Sequence, residues 1–71
     1  MPELQGGSGQ QVINILQKMG LSWRWTTGSH AVPQRGSNVC VVPLYDELAV
    51  GTLWGVLRQA GVPPEEFLSC R

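Results

Sequence analysis

At 71 residues the chain is sized for one domain with a small core, since folding at this length buries only about 60% of the surface exposed by the unfolded chain. Five basic and five acidic side chains leave a formal net charge of zero, which argues against a protein that grips nucleic acid by bulk electrostatics. The longest apolar run, Val39-Cys40-Val41-Val42, falls far short of the ~18 residues that suggest a membrane helix.

Residues 1–7, most of the glycine-rich stretch from Met1 to Gly9, show no hydrophobic period and read as a flexible arm ahead of a single domain over 8–71. Ser8 followed by Gln11 is a capping-box pattern. Val12, Ile15, Leu16 and Met19 then form an apolar stripe at helical spacing, closed by Gly20, so a helix is predicted from about Gly9 to Met19. Leu21 to Thr27 alternates, with Trp23 and Trp25 on one face and Arg24 and Thr26 on the other, as in a half-buried strand. Gly28-Ser29 fits a two-residue turn with glycine at the first, positive-φ position. The return strand runs from His30 to about Gln34, and Pro33, which lacks a ladder donor, predicts a sheet edge. After the turn Arg35-Gly36-Ser37-Asn38, the run Val39 to Val42 predicts a third strand buried on both faces and ended by Pro43.

An acidic loop, Leu44 to Leu48, precedes a second helical stripe of Leu53, Val56, Leu57 and Ala60, with Gly61 as its C-terminal cap. Pro64 suits the first turn of a short last helix, where Glu65 and Glu66 favour the positive end of the dipole. Three antiparallel strands with helices on one face make an α+β sandwich of two layers.

The polar residues narrow the chemistry further. With two cysteines and one histidine, a four-ligand zinc site is not available within one chain. Asp46-Glu47 without a third ligand is a poor metal site. Neither a metal nor a cofactor is expected. No secretory leader is recognisable, so the expected location is the cytoplasm, with both thiols reduced. Charge is unevenly spread: Leu4 to Tyr45 contains Lys18, Arg24 and Arg35 and no acid. From charge alone this is either an ordinary solvated surface or a local positive face.

The element order, the string "SGQQVINILQKMG" from Ser8 to Gly20, the triplet Gly28-Ser29-His30, and the run "VVPLYDELAVGTLWGVLRQAGVPPEEFL" from Val41 to Leu68 together resemble the HicA (YcfA-like) toxin family of type II toxin–antitoxin systems. The resemblance covers about Ser8 to Leu68. It implies a fold like a double-stranded RNA-binding domain: helix, three-stranded antiparallel sheet, helix and short C-terminal helix. It also implies metal-independent cleavage of mRNA and neutralisation by a HicB-type antitoxin. The family's catalytic histidine lies in the Gly-Ser-His triplet, so that role falls on His30. Tyr45 stands where members often carry a histidine shortly after the valine-proline pair.

RNA can be cut without a metal when a base takes the proton of a 2′-hydroxyl and its oxygen attacks the adjacent phosphorus. Histidine, whose charge changes nearest neutral pH, suits this work or the protonation of the leaving 5′-oxygen, but not both in one step. Tyr45, a water or a second chain's histidine must supply the other group. Arg24 and Arg35 are candidates to bind phosphate oxygens in a fork, with Thr27, Ser29 and the backbone around Gly28 as further donors. Without the resemblance His30 reads as a strand-end side chain, and the two arginines as solvated charges. For Trp23, Trp25 and Trp54, core packing or a partner interface is favoured over base stacking. A non-cleaving RNA- or partner-binding module of the same fold is the alternative function.

Overall fold

The computed structural model describes residues 7–70, and the arm expected over residues 1–7 lies outside them except for Gly7. Helix α1 (Gly9–Lys18) starts at the expected cap. Ser8 Oγ accepts the Gln11 N–H at 3.2 Å, and Gln11 Oε1 accepts the Ser8 N–H at 2.9 Å. The two bonds satisfy donors that the first turn would otherwise leave unpaired. Val12, Ile15 and Leu16 are buried and Met19 packs at the margin, but Ile13 is also fully buried, so the apolar face is wider than one stripe.

Strands β1 (Ser22–Thr27) and β2 (His30–Arg35) form the antiparallel hairpin, and Gly28 takes the positive φ of 59° that its turn requires. Two expectations fail here for related reasons. The register runs Trp23 to Pro33 and then Trp25 to Val32, leaving Arg24 as the extra residue of a β-bulge. Because Val32 and Pro33 are consecutive on the unbulged strand, Trp23 and Trp25 face opposite sides and do not share a face. Trp23 packs against the core and donates its Nε1–H to Thr26 Oγ1 at 2.9 Å, whereas Trp25 is 52% exposed.

The second correction concerns Pro33, which lies in the central strand and not at an edge. Beyond β2 the third sheet position is filled by two short strands, β3 (Asn38–Val39) and β4 (Val42–Pro43), rather than one continuous strand. They pair with Gln34–Arg35 and His30–Ala31 respectively, so Pro33 meets the break between them. Its carbonyl accepts the Cys40 N–H at 3.1 Å, and the reciprocal bond, which proline cannot donate, is the one missing where the third position breaks. The Val39–Val42 run is not buried on both faces: Cys40 and Val42 enter the core, while Val39 and Val41 are exposed. Burial pushes the Cys40 thiol up to about 11, because a thiolate there would lose its hydration.

Helix α2 (Val50–Ala60) buries Leu53, Val56, Leu57 and Ala60 as the stripe predicts and ends at Gly61, whose φ is 70°. Its Gln59 Oε1 accepts the Val41 N–H at 3.1 Å, satisfying a backbone donor beside the strand break. Helix α3 (Pro64–Ser69) has proline in its first turn and buries Phe67. One core cluster joins α1, Ala31, Cys40, Val42, Leu48, α2, Val62 and Phe67. The result is the expected two-layer α+β, double-stranded RNA-binding-domain-like fold, with the opposite face of the sheet left open. No helix among the described residues is long and apolar enough to cross a membrane.

Candidate active site

Alternation along β2 sets His30, Val32 and Gln34 on the open face, since the intervening Ala31 belongs to the core cluster. His30 opens the strand, pairing with Thr27 across the turn and with Pro43 on the other side. Thr27, Gly28 and Ser29 are exposed around it, while His30 itself is half-buried. Nothing lies within 4 Å of where a Gly28 Cβ would stand. What glycine contributes is therefore the positive φ and an unobstructed approach, not relief of a clash.

The Tyr45 ring meets the His30 ring edge-on, with centroids 6.1 Å apart and planes at 68°. Backbone bonds hold the loop that carries it. Leu44 donates its N–H to the Ser29 carbonyl at 2.6 Å, Gly9 to the Tyr45 carbonyl at 2.9 Å, and Leu48 to the Gly7 carbonyl at 2.8 Å. Gly9 is required for this approach: a Cβ there would overlap the Pro43 carbonyl oxygen and come within 2.8 Å of Leu44 Cα. The backbone that carries the tyrosine is thus held beside the histidine by the start of α1 and by the turn itself. Asp46 and Glu47 follow it on the same loop and are exposed.

The two arginines are elsewhere. Arg24, Arg35, Ser22, Gln34, Gly20 and Gly36 line an open basin of about 350 Å³ at the far end of the hairpin. Arg35 Nη1 donates to the Met19 carbonyl at 3.0 Å, satisfying an acceptor at the C-terminus of α1. From His30 to Gln34 the strand covers about 13 Å. The structure brings His30, Thr27, Gly28, Ser29 and Tyr45 together and gathers Arg24 and Arg35 in a separate place, so the expected cluster divides in two.

Sequence reasoning missed the contributions of Gly9 and Leu44, which act through backbone N–H groups, and of Gln34 and Ser22 in the basin. For Gly9 a signal existed, a glycine directly after a capping serine. The others carry none, because every residue type except proline supplies an N–H and the basin depends on strand register. Among the described residues no three histidine, cysteine, aspartate or glutamate side chains cluster. Compared with known proteins, residues 9–62 match a family model described as the HicA toxin of bacterial toxin–antitoxin. No curated protein matches the chain.

Proposed function

Because the chain belongs to the HicA toxin family, we propose that it is the toxin of a toxin–antitoxin pair. In this reading it is a metal-independent endoribonuclease (mRNA interferase) that acts in the cytoplasm and is silenced by a HicB-type antitoxin. The observation that carries the catalytic reading is the pairing of His30 with Tyr45 on the open face, beside an unobstructed turn. His30 takes the proton from a 2′-hydroxyl, whose oxygen attacks the adjacent phosphorus. The bond to the 5′-oxygen breaks, and that oxygen leaves with a proton donated by the Tyr45 hydroxyl or by water. The products are a 2′,3′-cyclic phosphate and a free 5′-hydroxyl, which conserves atoms and charge without a cofactor. Thr27 and Ser29 hydroxyls and backbone N–H groups near Gly28 supply hydrogen bonds to the phosphate oxygens.

The test is induced expression of the wild-type chain and of His30→Ala without antitoxin, with growth and cellular RNA followed together. Arrest and cut transcripts with wild type, and a loss of cleavage of about 100-fold or more in the variant at equal amounts of folded protein, are expected. Intact RNA with both chains would sink the nuclease reading and leave a non-cleaving module that binds RNA or a partner. The exposed side chains of Trp25, Val39 and Val41 on the open face are what that second reading has in its favour.

A further inference from the structure

The open face is not uniform between its two polar ends. Register places Thr27 opposite His30 at one end, Trp25 opposite Val32 in the middle, and Ser22 opposite Gln34 at the other. Val32 is 7% exposed although it lies outside the core cluster, and Trp25 beside it presents half its surface to solvent. Beyond Trp25 comes the basin, where the bulge turns Arg24 toward Gln34, Arg35 and the glycines that flank them. No carboxylate occurs between residues 4 and 45, so neither hairpin strand contributes an acid to offset the two guanidiniums.

We propose that this basin anchors a backbone phosphate of single-stranded RNA a few nucleotides away from the phosphate cut at His30, with an intervening base stacked on Trp25. The inference rests on the ribonuclease reading and adds a second phosphate site to it. Guanidinium forks match phosphate oxygens in geometry and charge. Arg35, with one nitrogen already bonded to the Met19 carbonyl, is held in place and retains other donors for a ligand. The span of about 13 Å along β2 is more than one phosphate can bridge, so two phosphates of one strand are needed. A single strand is specified because an exposed indole stacks on an unpaired base, whereas duplex bases are already stacked on each other.

The experiment is a linkage scan. An octanucleotide of fixed sequence is 2′-O-methylated so that it cannot be cut, and each phosphate in turn is replaced by a neutral methylphosphonate. Affinity is measured for wild type, Arg24→Ala and Trp25→Ala, and the unmodified RNA locates the scissile linkage. For wild type, neutralising one linkage other than the scissile one should weaken binding about tenfold. That penalty should vanish in Arg24→Ala, whose salt slope should also fall by about 0.7. Trp25→Ala should weaken binding of every oligonucleotide by about tenfold. Arg35→Gln serves as a second probe if Arg24→Ala disturbs the bulge, and should remove the same penalty.

The proposal is overturned if the linkage that depends on Arg24 is the scissile one, or if no linkage depends on either arginine. Equal affinity for a duplex of the same sequence, with no effect of Trp25→Ala, would overturn it as well. So would binding of a protein partner alone, with no salt-dependent affinity for RNA. A distal linkage that depends on Arg24 while the unmodified RNA stays intact would support the anchor and remove the nuclease reading instead.

Discussion

The two ends of the β1–β2 hairpin are built by different means. The turn end holds His30 and Tyr45 through three backbone bonds, from Leu44, Gly9 and Leu48, that tie a distant loop to the turn and to the start of α1. The far end relies on a bulge and a long side chain, with Arg24 displaced by the register shift and Arg35 bonded to the last turn of α1. Backbone bonds fix where the Tyr45 side chain leaves the main chain, and two torsions then place its ring, a closeness that the proton transfer proposed above requires. A flexible guanidinium tolerates looser placement, which is sufficient for holding a charged backbone. Charge follows the same division: Asp46 and Glu47 sit on the loop beside the His30–Tyr45 pair, and Arg24 and Arg35 lie away from it.

Substitutions can break this contrast, beginning with the largest expected effect. His30→Ala should lower cleavage about 100-fold or more at equal amounts of folded protein, read by the expression test described above. Gly9→Ala should destabilise the fold by about 3 kcal/mol, because the new methyl must push Pro43 and Leu44 away from α1. Denaturant titration measures this, and the His30–Tyr45 ring contact should loosen with it, visible as a loss of cross-peaks between the rings in NMR. Unchanged cross-peaks would mean that Tyr45 is held by something other than Gly9.

The region between the two ends should respond to pH. The folded-state value of Cys40, about 11, lies above its usual 9.0. The unfolded chain therefore releases this proton first, and the associated stability is full below about pH 9 and is lost as pH rises toward about 11. The unfolding free energy should drop by about 2 kcal/mol across that window, and Cys40→Ala should flatten that part of the profile. An identical slope in the variant would show that other groups carry it. The smallest effect sharpens the role of the turn end: Tyr45→Phe should lower the cleavage rate about tenfold and leave affinity for uncleavable RNA intact. A variant as fast as wild type would assign the second proton transfer to water.

Local patterns were legible in the residues where local physics decides the outcome. The capping box at Ser8 and Gln11, the stripe of α2, the glycine turn and the proline start of α3 all depend on neighbours within one turn of chain. Their periodicity and chemistry therefore survive folding. The strand readings failed where pairing intervened. Period-2 alternation assumes one residue opposite one, and the bulge at Arg24 breaks that assumption, separating Trp23 from Trp25 and sending one to the core and the other to solvent. The missing donor of Pro33 predicts an edge, yet the sheet places it in the central strand and meets the lost bond with a break between β3 and β4.

For the site, the triplet Gly28-Ser29-His30 and Tyr45 could be named through the family resemblance, whose string carries the first and in whose members a histidine often stands at the place of the second. By itself the sequence determined the helices, the hairpin turn and the identity of these candidate groups. Only the tertiary structure decided that Tyr45 stands beside His30 while Arg24 and Arg35 gather at the other end. That division follows from strand register and from backbone bonds between segments far apart in the chain, and residue identity alone encodes neither.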